Sequence, residues 1–118
     1  MADNLTFNKL KTLLQQYEAN LTLLHDKDDN YYLNTPISDT NKKPEFFGAV
    51  QIKKSYVAFH LMPVYYYPNL LEDISQDLKD HMHGKSCFNF KEVDVKVFKE
   101  LTTLTKKSFD LYKSIKKI

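Results

Sequence analysis

Residues 46 to 63 read Phe46-Phe47-Gly48-Ala49-Val50-Gln51-Ile52-Lys53-Lys54-Ser55-Tyr56-Val57-Ala58-Phe59-His60-Leu61-Met62-Pro63. Two runs rich in β-branched and aromatic residues flank a short polar turn at Lys53-Lys54-Ser55, the pattern of a β-hairpin. Period-two alternation assigns Phe46, Gly48, Val50 and Ile52 to one face of the first strand and Phe47, Ala49, Gln51 and Lys53 to the other. The partner strand, Tyr56 to Met62, places Val57, Phe59 and Leu61 on one face and Tyr56, Ala58 and His60 on the other. Pro63 ends it, because proline has no N–H to give to a ladder.

Upstream, Phe7, Leu10, Leu13, Leu14, Tyr17 and Leu21 recur at steps of three and four, which predicts an amphipathic helix over about residues 5 to 19. Leu21 to Leu24 and Tyr31 to Leu33 read as strands around the polar turn Asp26-Lys27-Asp28-Asp29-Asn30, and Thr35 to Pro44 as a loop. Downstream, Ser75 is a candidate N-cap and Gly84 a candidate stop for a short helix, Gln76 to His83. Cys87 to Lys91 reads as a last strand. Asp94 caps a long helix to about Lys116, with a stripe of Val97, Leu101, Leu104, Leu111 and Ile115 flanked by Phe98, Phe109 and Tyr112. Short connections imply antiparallel pairing. The expected architecture is α+β: a two-layer sandwich with the N- and C-terminal helices packed on one face of an antiparallel sheet.

A chain of 118 residues with 42% hydrophobic and 27% charged residues suits one domain with one core over residues 1–118. Eight Tyr and eight Phe stand in for the absent Trp as bulky core formers. A formal net charge of +2 is too small for charge-driven binding to nucleic acid or a membrane surface. The single cysteine, Cys87, has no internal disulfide partner, and Met1-Ala2-Asp3-Asn4 has no signal-peptide character. A cytoplasmic location is therefore expected.

Two glycines, Gly48 and Gly84, cannot build a Walker loop or a dinucleotide fingerprint, which need several close backbone N–H groups. There is no nucleophile elbow, no His-Glu-x-x-His pair and no Cys-x-x-Cys. The sequence points away from an enzyme. Asp26-x-Asp28-x-Asn30 copies the start of a calcium loop, but Tyr31 stands where its glycine belongs and Ile37 where its closing glutamate belongs. Asp26, Asp28 and Asp29 remain as an open carboxylate patch that would attract a hard cation. His81, His83 and Cys87 are close in sequence, but residues two apart on a helix diverge, so the two histidines meet only if the helix has already ended. Tyr65-Tyr66-Tyr67 offers pocket or interface aromatics. Strand alternation sends Cys87 and Asn89 to the face opposite Phe88 and Phe90. That leaves His60, Tyr65, Cys87 and Asn89 as candidate walls of a binding pocket.

Phe47 to Tyr65, the run Gly84-Lys85-Ser86-Cys87-Phe88-Asn89-Phe90, and Phe98-x-x-Leu101-x-x-Leu104 with Tyr112 together resemble the YdhG-like domain of unknown function over roughly residues 46 to 112. The resemblance implies a frataxin-like sandwich and a non-enzymatic role as an iron chaperone, delivering ferrous iron to iron–sulfur or haem assembly proteins. Frataxins carry an acidic ridge on the first helix and strand. Here Glu18, Asp3 and the cluster Asp26, Asp28 and Asp29 stand in its place. The alternative expectation is a small-molecule or protein binding module with its pocket near His60, Tyr65 and Asn89.

Overall fold

A computed structural model describes residues 4–36 and 43–118. In chain order the elements are α1 (Asn4–Gln15), β1 (Thr22–Lys27), β2 (Asn30–Asn34), β3 (Phe46–Ile52), β4 (Val57–Leu61), α2 (Pro63–Tyr66), α3 (Gln76–Lys79), β5 (Cys87–Phe90) and α4 (Val95–Ser114). Single 3-10 turns occupy Glu18–Asn20 and Pro68–Leu71. The five strands form one antiparallel meander in the order β1-β2-β3-β4-β5. The expected loop over Thr35 to Pro44 lies largely outside the described residues, as do Asp3 and Ile37.

The register explains which side chains become core. Tyr31 pairs with Val50, Val50 with Phe59, and Phe59 with Phe88, a continuous row of buried residues across four strands. Both long helices lie over this face. Leu14 of α1 sits above Gly48, and Phe98 of α4 packs edge-on against Phe90 at 4.9 Å between ring centres. The helices also meet each other, with Tyr17 just beyond α1 stacked on Phe109 of α4 at 4.4 Å. Gly48 is what lets α1 approach: a Cβ there would lie 3.1 Å from Leu14 Cδ2 and 3.0 Å from the His60 carbonyl oxygen.

The expected faces of β3 need one correction. Leu33 pairs with Gly48 but Asn34 with Phe46, so Phe47 is the extra residue of a β-bulge. The bulge turns Phe47 into the core, against Phe109 and Tyr112. Phe46 goes to the opposite face, where it stacks on Tyr32 at 4.7 Å. Simple alternation had these two reversed.

The first helix ends four residues before residue 19. Its chain tightens through i to i+3 bonds, Tyr17 N–H to Leu14 O and Leu21 N–H to Glu18 O. Glu18 is drawn out of helical register and accepts a 2.7 Å hydrogen bond from the buried Tyr31 hydroxyl. The short helix is likewise only Gln76–Lys79, capped by Ser75 Oγ accepting from Leu78 N–H. Residues 81 to 83 instead pair with β5, through Asn89 N–H to His81 O and His83 N–H to Cys87 O.

The long helix starts as expected, with Asp94 Oδ1 accepting from Val97 N–H. Its buried stripe is Val97, Phe98, Leu101, Leu104, Thr105, Ser108, Phe109 and Tyr112. Leu111 is only half-buried and Ile115 is exposed, because a true 3.6-residue period carries the stripe through Ser108 and Tyr112 instead. The buried hydroxyls of Thr105 and Ser108 donate to the carbonyls of Leu101 and Leu104, so neither is left unsatisfied.

Candidate functional site

The face of the sheet away from the helices carries the polar and aromatic side chains that alternation sent there. His25 pairs with Tyr32, Tyr32 with Ala49, Ala49 with His60, and His60 with Cys87, one straight row over all five strands. Phe46 stacks on Tyr32 and meets His60 edge-on at 6.3 Å. These larger side chains close over Ala49, which is fully buried although no helix covers it.

Of the four candidate pocket residues, the sheet brings three together. His60 and Cys87 are cross-strand partners, and Asn89 is next along the same face, opposite Ala58. The Cys87 thiol donates to Asn89 Oδ1 at 3.2 Å. Burial pushes the Cys87 thiol up from its ordinary pKa, only partly opposed by the nearby Lys53 ammonium. Cys87 is therefore a hydrogen-bond donor here rather than a thiolate. Burial and the same lysine push the His60 imidazole down, so its neutral form is favoured. Tyr65 does not join them. At Pro63 the chain leaves the strand for α2, with Tyr65 N–H bonded to Met62 O, and Tyr65 lines a separate concavity of about 400 Å³ with Val64, Pro68, Leu71, Met82, Gly84 and Lys85.

Asn89 opens onto a concavity of about 480 Å³ beside β5. Its other walls are Tyr56, Asp80, His81, His83, Lys91, Glu92 and Asp94. Neither His60 nor Cys87 lines it. His81 and His83 share this cleft because α3 has ended by Lys79: the chain closes a turn, His81 N–H to Leu78 O and Met82 N–H to Lys79 O, and then bridges β5 at Met82 and Phe88. The His81 ring stacks on Phe90 at 4.4 Å between centres, and its Nδ1 lies 2.9 Å from the Asn89 carbonyl oxygen. A carbonyl only accepts, so Nδ1 carries the hydrogen and, in the neutral ring, Nε2 is left as an acceptor. Three carboxylates against one lysine make the lining acceptor-rich.

The sequence flagged Asn89 and the two histidines here, but not Tyr56, Asp80, Lys91, Glu92 or Asp94. Those come from turns and caps around β5, and the bridge from Met82 to Phe88 sets His81 and His83 beside them.

The carboxylate patch does not assemble into a metal centre. Asp26 is held by Lys11 at 2.7 Å, while Lys11 also lies over the Tyr31 ring at 5.2 Å. Asp26 and Asp28 line a concavity of about 210 Å³ that they share with Lys11 and Lys27, and Asp29 is not among its walls. Glu18 is occupied by Tyr31. Among the described residues no three His, Cys, Asp or Glu side chains converge as a metal site, the cluster at His81 and His83 included. The donors among the described residues therefore do not fit an iron site. No helix among the described residues is long and apolar enough to cross a membrane.

Comparisons with protein-family models, with curated proteins and with solved structures give no match to this chain.

Proposed function

We propose that this protein is a non-enzymatic binding module that takes a small, hydrogen-bond-donating amine in the cleft beside β5. The observation that carries this reading is the convergence of Asp80 and His81 from one segment, and Asn89, Glu92 and Asp94 from another, on one cleft of about 480 Å³. A cleft of this size falls within the range of small-molecule sites. The lining is rich in acceptors and the His81 tautomer adds another, so the matching ligand is a donor with positive charge.

The YdhG-like and frataxin-like reading draws its support from the layout: a helix, an antiparallel sheet and a second helix on the same face. For its iron-carrying corollary, no three donors converge among the described residues, and Asp26 and Glu18 already pair with Lys11 and Tyr31. The amine reading is therefore preferred.

Titration of the ¹⁵N-labelled protein with tyramine, histamine and spermidine, beside the matched carboxylate 4-hydroxyphenylacetate, tests it. At least one amine should shift the amides of His81, Asn89 and Glu92 saturably, and Glu92→Gln should weaken that binding about tenfold. If no amine saturates, or if the carboxylate binds as well as its amine counterpart, the assignment fails.

A further inference from the structure

The concavity beside Tyr65 is chemically the reverse of the one beside Asn89. Its floor is apolar: Val64 is 1% exposed, and Leu71 and Met82 are half-buried against the core. One charged side chain lines it, Lys85. Among the described residues Lys85 makes no ion pair. Its ammonium instead lies 5.8 Å from the centre of the Tyr65 ring, whose residue is 48% exposed. An aromatic face at an exposed site is a weaker partner for an ammonium than a carboxylate is.

The backbone holds this arrangement. Gly84 has φ +86, a conformation that side-chain-bearing residues rarely adopt, and a Cβ there would meet nothing within 4 Å. The chain can therefore turn at the rim without closing it. Two residues on, Ser86 O accepts from Leu61 N–H at 2.9 Å and pins the segment to the end of β4. Lys85 is fixed between these two points, at the mouth of an apolar cleft of about 400 Å³.

We propose that this cleft is a second binding site, for a small amphipathic carboxylate. The apolar tail lies against Val64, Leu71 and Met82, and the carboxylate pairs with the Lys85 ammonium beside the Tyr65 ring. Charge complementarity selects the head group. A neutral analogue gains only the apolar contact, and an ammonium of the same length meets the like charge of Lys85. The site is independent of the amine cleft, shares no wall with it, and has the opposite sign.

Octanoate, octanamide and octylammonium are the probes, titrated into the full chain with the Met82 methyl and the Gly84 and Lys85 amides followed by NMR. Octanoate should shift these signals saturably and bind at least about tenfold more tightly than octanamide, with octylammonium no better than the amide. Lys85 is exposed, so its replacement leaves the core intact. Lys85→Met should abolish the preference for octanoate while octanamide binding persists, and Lys85→Arg should retain it. Equal affinities for octanoate and octanamide, a preference that survives Lys85→Met, or octanoate shifts centred on Asn89 would each overturn the proposal. Octanoate shifts centred on Asn89 would count against the amine cleft as well; the other results leave the amine titration untouched.

Discussion

His60 stands in the middle of the uncovered sheet face, between Ala49 and Cys87 and against the ring of Phe46. Burial first, and the Lys53 ammonium second, depress its pKa below the ordinary value of 6.5. A group whose native pKa is lowered binds protons less readily folded than unfolded. Well above pH 6.5 the ring is neutral in both states and its contribution is constant. As pH falls below that value the unfolded chain takes up the proton first, so stability declines until the native pKa is also passed. Urea midpoints measured between pH 7.5 and pH 5 should therefore fall, and His60→Gln should flatten the part of that fall nearest pH 6. An unchanged slope in the variant would assign the acid sensitivity to other groups. The residue's visible role is thus to keep a neutral polar ring on the open face, and its assignment to the same face as Cys87 and Asn89 followed from alternation alone.

The element with most at stake is α4, because it supplies one side of the core along its whole length. Leu101 is fully buried within the stripe and Ile115 is 36% exposed at its end. Leu101→Ala should cost about 2–5 kcal/mol in urea denaturation, through lost transfer energy and the cavity left behind. Ile115→Ala should cost less than about 0.5 kcal/mol. Equal costs at the two positions would mean that the stripe runs as the sequence suggested, through Leu111 and Ile115, rather than through Ser108 and Tyr112. That difference shows where pattern reading loses ground. Caps were legible, since Ser75 and Asp94 announce a helix start by their own chemistry. So was the pairing of the central hairpin, fixed by Val57, Phe59 and Leu61. The bulge at Phe47 was not, because two adjacent phenylalanines and a glycine satisfy either register by composition, and only the need to admit Leu14 over Gly48 decides between them. A stripe that passes through small hydroxyl residues was equally hidden, because Thr105 and Ser108 read as surface residues until their hydroxyls are seen to bond back to their own helix.

At the scale of the whole molecule the two edges of the sheet differ, and that asymmetry governs both the cleft and the stability gradient. The cleft beside β5 was only half legible for this reason: Asn89 belongs to a strand, but its neighbours His81 and His83 come from a segment whose sequence reads as the end of a helix. That segment caps the β5 edge, with Asn89 N–H bonded to His81 O at 2.8 Å and His83 N–H to Cys87 O at 2.9 Å. The opposite edge, β1, has no such cover among the described residues; five of its six residues are exposed. It is protected against edge pairing by other means, a bulge at Leu24 and the charges of Asp26 and Lys27. Opening free energies across a domain range from near zero to the global value, following burial and pairing. Native-state hydrogen exchange should therefore be slowest in β3 and β4, which are paired on both sides, and nearly as slow at Asn89. The amides of β1 that are not bonded to β2 should exchange at least about 100-fold faster. If the Asn89 amide exchanges as fast as those of β1, the pairing of residues 81 to 83 does not persist in solution. The cleft would then lose its His81 and His83 wall, and the amine site with it. If Asn89 is protected, the cleft is a standing feature of the folded sheet, and a ligand meets it already formed.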